Sequence, residues 1–337
     1  MSRTKTHGRP AWVDSPWIEW KISLIVSTAT YYFSVATLRI GTSGWNYPTG
    51  KGTWNGIFYP HPEDRQRGFD ELSFYAERFN AVEVNSTFYG QPRANVTLGW
   101  AKRTPPDFEF AVKMFQKFTH PAMSVDPGPI TQADVDAFKG GLDPLAAAGK
   151  LGPVLVQFPS SFQRSPEAVA YLEWLMQTFA DYALAIELRH RTWSDTAETM
   201  QILDAHQAAW VQIDEPKFSS SIRQDLVGGG AEIYYLRLHG RNAAQWWDHA
   251  ESEDRYNYLY AKEELAPIAG AVRDVRAMVK KAYLFLNNHF SAQSVANAVT
   301  LKKMLDEPLT RRMPEELVER FPDLAGIVPT LPRARLL

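Results

Sequence analysis

From Leu38 onward the chain alternates short β-rich runs with helical patterns, and eight runs of the first kind can be counted. They are LRIGTSGW (38–45), AVEVNSTFY (81–89), EFAVKMF (109–115), GPVLVQFP (152–159), YALAIELRH (182–190), AAWVQIDEP (208–216), IYYLRLHG (233–240) and KAYLFLNNHF (281–290). Between most of them lie stretches such as GFDELSFYAERF, EAVAYLEWLMQTFA and DTAETMQILDAH. Their apolar residues recur every three or four positions, as on a helix with one buried face. Strands that alternate with helices are joined by crossovers and therefore run parallel. Eight such units close into a (β/α)8 barrel of the TIM type, for which 337 residues is a fitting length. An open doubly wound sheet is the competitor, but GTSGWNYPTGKG after the first run has neither the G-x-G-x-x-G spacing nor a Walker A loop. The expected fold class is thus α/β, a single barrel over 38–305 with long loops after strands one (46–67) and seven (241–257). Long loops of this kind are more often functional than not. The segment 1–37 reads as an extension and 306–337 as a tail that wraps the surface or stays mobile.

Side chains alternate between the faces of a strand, so residues two apart share a face. Near the C-terminal ends of the runs, polar residues occupy such positions. Strand one offers Thr42, Ser43 and Trp45; strand two Glu83 and Asn85, with Tyr89 beyond; strand three Lys113; strand four Gln157. Strand five offers Glu187 and Arg189, strand six Gln212 and Asp214, strand seven Arg237 and His239, strand eight Asn287 and His289. Their neighbours of opposite parity are mostly apolar, as in Val82 and Val84, Ile186 and Leu188, Val211 and Ile213, or Leu236 and Leu238. In a barrel the apolar face meets the helices and the polar face meets the axis. A polar ring at the C-terminal mouth is expected, above strand starts read as apolar; in this fold that mouth is the active face. Three acids (Glu83, Glu187, Asp214) and three bases (Lys113, Arg189, Arg237) balance there, so a purely structural ion-paired interior is the competing account.

The residue types allow several chemistries. Arg189, Arg237 and Lys113 suit a phosphate or carboxylate, while Thr42, Ser43, Asn85, Gln157 and Asn287 suit hydroxyls. Glu83 and Glu187 are the candidate acid and base, His239 the proton carrier matched to neutral pH, and Asp214 a further carboxylate. Trp45, Tyr89, Trp193, Trp246 and Trp247 follow strand ends, where rings stack on ligands or pack loops; packing is the expectation for Trp193. His289 completes the ligand-binding set. This points to an enzyme, a hydrolase or lyase without metal or cofactor, acting on a small phosphorylated or polyol molecule. A metal is disfavoured because the three bases share the ring and no H-E-x-x-H cluster exists. Schiff-base chemistry at Lys113 ranks low, since its acidic neighbours should keep the amine charged. The alternatives are a non-catalytic ligand-binding barrel or one that binds or processes nucleic acid. A net charge of −2 counts against the latter, and against adhesion to anionic membrane.

The absence of Cys removes disulfides and thiolate chemistry and fits a cytoplasmic protein. Within the first 37 residues, ISLIVSTATYYFSVATL (22–38) is uncharged but rich in Ser and Thr, and Asp14, Glu19 and Lys21 interrupt its approach. A secretory leader is the lesser reading, and the run is too short and polar to span a bilayer.

RIGTSGW, VEVNSTFY, QFPSSF, IELRHRTW, YLRLHGR followed by YNYLYAKEEL, and NNHFSAQSVANA together resemble the YecE-like family, domain of unknown function 72. The likeness runs from about Leu38 to Leu305, with the motifs in family order. It implies a TIM-type barrel with a polar pocket at its C-terminal mouth and no particular reaction. The motif positions in this chain are Thr42, Ser43, Trp45, Glu83, Asn85, Gln157, Glu187, Arg189, Arg237, His239, Asn287 and His289. The segment before Leu38 departs from the family pattern.

Overall fold

The computed structural model describes residues 36–331 apart from 127, 227, 249, 250 and 252. The readings made on residues 1–35 and on the last six residues lie outside this range. The principal strands are β1 (Thr37–Thr42), β2 (Ala81–Val84), β3 (Glu109–Lys113), β4 (Leu151–Gln157), β5 (Leu184–Glu187), β6 (Ala209–Trp210), β7 (Gln212–Asp214), β8 (Ile233–Leu238) and β9 (Lys281–Leu286). They form two parallel sheets, ordered β2-β3-β4-β5-β6 and β1-β9-β8-β7. Only Val211 separates β6 from β7, and its N–H donates to Ile186 O at 2.9 Å. At the other junction Gly44 N–H donates to Glu83 O at 2.7 Å, next to a parallel bridge between Ser43 and Glu83.

Helices connect the strands and begin where the sequence caps them. Asp70 accepts from Ser73 N at 2.7 Å ahead of the helix Glu71–Ala76. Thr131 and Asp134 form a reciprocal capping box ahead of Gln132–Ala147, and Ser165 with Pro166 opens Pro166–Thr178. Such caps satisfy amide groups the first turn leaves without a partner. Against these helices pack the apolar strand faces, with Val82, Val84, Phe110, Val112, Ile186, Leu188, Leu236, Leu238, Leu284 and Leu286 all buried.

The opposite faces of the two sheets meet, because side chains of one hydrogen-bond those of the other. At the strand starts Arg39 Nη2 and Lys281 Nζ lie 2.7 and 2.8 Å from Glu109 Oε1, and Tyr283 donates to Glu109 Oε2 at 2.5 Å. The expectation of apolar strand starts is therefore corrected. Arg39, Glu109, Lys281 and Tyr283 alternate with apolar neighbours just as the polar residues at the strand ends do, and their charges neutralise one another.

One strand ends earlier than its composition implies, and the described part of the tail is ordered. β2 stops at Val84, and Ser86–Tyr89 makes a helical turn, so Tyr89 leaves the strand alternation and is 69% exposed. Beyond β9, Met313–Pro314 (β10) pairs in parallel with Thr330–Leu331 (β11) around the helix Glu315–Arg320. Met313, Leu317, Phe321 and Leu324 are buried, so this part of the tail is packed rather than free. Among the described residues no helix is long and apolar enough to cross a membrane.

Candidate functional site

Glu83 and Arg237 come from different sheets and meet at the centre. Residues paired across a parallel ladder share a face, and Glu83 pairs with Ala111, Gln157 with Glu187, and Arg237 with Phe285 and Ile213. Arg237 donates through Nη2 to Glu83 Oε1 at 2.7 Å and through Nη1 to Glu187 Oε2 at 2.6 Å and Gln157 Oε1 at 3.0 Å. Ser43 Oγ donates to Glu83 Oε1 and Tyr235 Oη to Glu83 Oε2, both at 2.7 Å. Arg189 Nε donates to Glu187 Oε1 at 2.7 Å. Side chains of β2, β4, β5 and β8, with Ser43 and Arg189 just past the ends of β1 and β5, thus tie both carboxylates to two guanidinium groups. Glu83, Glu187, Arg237 and His239 are buried.

Burial would raise the Glu187 carboxyl, but Arg237 and Arg189 outweigh it and hold the group well below the usual carboxylate range. Burial likewise opposes the charge on Arg237, yet Glu187 and Glu83 raise its pKa above the ordinary arginine value. His239 is neutral: burial, then Arg237 and Arg189, push its pKa far down. Its Nε2 lies 3.3 Å from Arg189 Nη2 and its Nδ1 2.8 Å from the Asn287 amide. The Asn287 atom placed there is Nδ2; a neutral ring accepts at one nitrogen only, so with Nε2 accepting from Arg189 the proton sits on Nδ1 and the amide is assigned the other way round, its Oδ1 accepting.

Lys113 stands apart from this pairing. Its Nζ lies 4.2 Å from the centroid of the Phe88 ring and makes no hydrogen bond or ion pair among the described residues. Both oxygens of Glu83 and of Glu187 are already engaged. Burial, then Arg237, outweigh the pull of Glu187 and Glu83 and bring its pKa down to about 7. The expectation that acidic neighbours keep this amine charged is corrected, because burial first, and then the nearby guanidinium groups, outweigh those acids.

Asp214 lies away from the cluster. Arg241 donates to it from Nε at 2.9 Å and from Nη2 at 2.7 Å, and Tyr260 Oη at 2.7 Å. The register explains this: Ile213 is level with Arg237, so Val211 and Ile213 face the cluster and Gln212 and Asp214 face the other way. The following residue, Glu215, takes the place expected of Asp214. Its Oε2 is buried without a hydrogen bond, 3.6 Å from Arg189 Nη1, and burial raises its pKa. Thr42 also points away, with its hydroxyl 2.9 Å from Tyr75 Oη on the first helix. Trp45 packs edge-on against Trp100 at 5.5 Å. Trp193 is wholly buried, stacked on Phe162.

Asn85 Oδ1 is buried and accepts no hydrogen bond at the end of β2. His289 stacks on Tyr47 at 4.2 Å and lies 4.9 Å from Tyr256, so both long loops converge on it; burial brings its pKa down to about 3. Trp246 is buried with its ring 6.4 Å from that of His239, whereas Trp247 is exposed. Composition and spacing did not single out Glu215, Tyr235, Phe88 or His120. Tyr235 was readable from its parity with Arg237, and Glu215 from its place at a strand end. His120 packs edge-on to Phe88 at 5.0 Å, and burial, then Lys113, brings its pKa down to about 4. Among the described residues no three or more His, Asp or Glu are grouped to hold a metal ion. A groove of about 310 Å³ between Tyr260, Asn297 and Phe321 shares no residue with the charged cluster.

The carboxylates set the acid limit of the fold. At Glu109, as at Glu187, burial raises the pKa but is outweighed, here by Lys281, Tyr283 and Arg39. A carboxyl whose pKa is depressed on folding contributes stability that is present above its unfolded value, near 4.5. That contribution is lost as pH falls through the folded value. The urea midpoint is expected to fall as pH drops below about 6.5, where buried neutral histidines oppose folding, and to keep falling towards pH 3 as the paired carboxylates lose their advantage. A midpoint at pH 3 equal to that at pH 7 contradicts the pairing.

A family model described as "Protein of unknown function DUF72" matches residues 39–318. The UPF0759 protein YunF of Bacillus subtilis is 29% identical over 288 residues, 83% of this chain and 99% of that protein. The UPF0759 protein YecE of Escherichia coli K12 is 29% identical over 148 residues, 43% of this chain and 51% of its own length. A crystal structure of a DUF72 family protein from Thermotoga maritima superposes with a TM-score of 0.68 at 34% identity, covering 80% of this chain and all of that one.

Proposed function

The chain belongs to the DUF72 family, and from that premise we propose that it is a (β/α)8 barrel whose mouth binds a small anionic or hydroxyl-rich molecule and acts on it by acid–base chemistry. Closure into one barrel is supported at both sheet junctions, by the Gly44–Glu83 hydrogen bond and by the single residue between β6 and β7. Joined there, the strands follow one another in chain order around a ring of eight.

The observation that carries the binding reading is Lys113, a half-buried amine left without an acceptor among the described residues while every carboxylate oxygen of Glu83 and Glu187 is taken. Asn85 Oδ1 and Glu215 Oε2, also at strand ends, are buried without a hydrogen bond among the described residues, Glu215 Oε2 lying 3.6 Å from Arg189 Nη1. A buried polar group left without a hydrogen bond costs about 1–3 kcal/mol, which a ligand that pairs with it recovers. Arg189, with 18% of its side chain exposed, is the guanidinium open to an anion. Glu187 stays ionised while Glu215 is pushed towards its protonated form, and carboxyls driven apart in this way take opposite roles in proton transfer. Arg237 and Glu83 are positioning residues, and His239 holds Arg189.

Lys113→Met separates binding from folding. An amine whose pKa falls on folding opposes folding below its unfolded value, so its removal is expected to raise the melting temperature. The same variant is expected to lose the ligand. Native mass spectrometry of the whole protein against sugar phosphates and hydroxy acids reads the second effect. A variant that is less stable and retains whatever the parent binds would overturn the reading.

A further inference from the structure

We infer that Lys113 is a nucleophile that captures a small aldehyde or ketone as a Schiff base, with Arg189 positioned for an anionic group on the same molecule. This rests on the ligand-binding reading above and names its substrate class. Four observations carry it. Lys113 ends β3 on the face shared with Glu83, and its Nζ touches an aromatic ring rather than a carboxylate. The acids that would hold a proton on it are each bound to arginine. Its titratable surroundings are Arg237, Arg189, Glu187 and Glu83, with His120 held neutral beyond Phe88. A lysine desolvated beside other cations is an amine activated for carbonyl attack. The bland alternative, a lysine that merely fills the mouth, leaves a half-buried amine without an acceptor among the described residues, a cost with nothing to offset it.

The step balances without a co-reactant. The Nζ lone pair forms a bond to the carbonyl carbon, the C–O π pair moves to oxygen, and one proton passes from nitrogen to that oxygen. The carbinolamine then takes one proton from solvent, its C–O bond breaks, and water leaves. A protonated C=N bond remains, with no change of oxidation state. It withdraws electrons from the adjacent carbon, which is what bond cleavage or proton removal there requires.

The test is reductive trapping of the whole protein at pH 6.5 with glycolaldehyde and sodium cyanoborohydride, followed by peptide mapping. An amine at about 7 is roughly a thousandfold more unprotonated at this pH than a surface lysine near 10.4. Lys113 is therefore expected to label at least about 100-fold faster than the surface lysines. Lys113→Arg is expected to show no adduct at that peptide while folding normally. Labelling of Lys113 no faster than surface lysines overturns the proposal. If that happens while Lys113→Met still abolishes ligand retention, the covalent step fails and the binding reading stands. If Lys113 labels rapidly but the variant retains the ligand, nucleophilic capture stands and the placement of the non-covalent site falls.

Discussion

Arg237→Ala is expected to destabilise the fold by about 3–5 kcal/mol, the cost of leaving buried carboxylates without their cation. Its guanidinium spans Glu83, Glu187 and Gln157, and among the described residues no other side chain bonds both acids. Arg237→Lys is expected to recover little, because an ammonium cannot supply the planar fork that reaches two carboxylates at once. Adding Glu83→Gln and Glu187→Gln to Arg237→Ala removes the stranded charges and is expected to restore a large part of the loss. Urea titrations of the four proteins measure this directly. A loss below about 1 kcal/mol for Arg237→Ala, as seen for exposed pairs, contradicts a buried two-acid clamp. The residue is thus unsuitable for testing binding, because its removal damages the scaffold that holds Lys113, Arg189 and Glu215.

Gly41→Ala is expected to be as damaging, for a reason of space. A Cβ there would lie 2.0 Å from Ala81 O and 2.8 Å from Tyr75 Oη. The first contact is with backbone, which cannot turn aside, so β1 and β2 must separate at the junction where the sheets meet. Overpacking of this severity is expected to cost at least about 3 kcal/mol. Gly140→Ala, in the helix Gln132–Ala147 with nothing within 4 Å of the added carbon, is the control and is expected to stabilise by up to about 1 kcal/mol. Equal melting temperatures for Gly41→Ala and the parent would contradict the close approach of β1 to β2.

The alternation of polar and apolar residues makes much of this legible before any coordinates. In β2, β5 and β8 it puts Glu83, Glu187 and Arg237 on a common face, and the structure brings those three together. The same rule misplaces Asp214. Parity within one strand does not reveal register against the next, and Val211 and Ile213 fill the cluster side while Arg241 and Tyr260 satisfy the acid on the other. Tyr89 is misread because Asn85-Ser86-Thr87 starts a helical turn, which replaces a two-residue period with a longer one. Thr42 is adjacent to the inward Ser43 and so has the wrong parity; its hydroxyl belongs to Tyr75. The state of Lys113 is harder still. It depends on which acids the arginines have claimed, a property of several strands together that no local pattern records.

A lysine-selective ¹³C NMR titration of the intact protein, with Lys113→Arg to assign the signal, bears most directly on whether the arginines have claimed the acids of the mouth. A side-chain resonance for Lys113 that titrates near pH 7 is the predicted result. A midpoint near the ordinary lysine value of about 10.4 would mean that a carboxylate holds this amine after all.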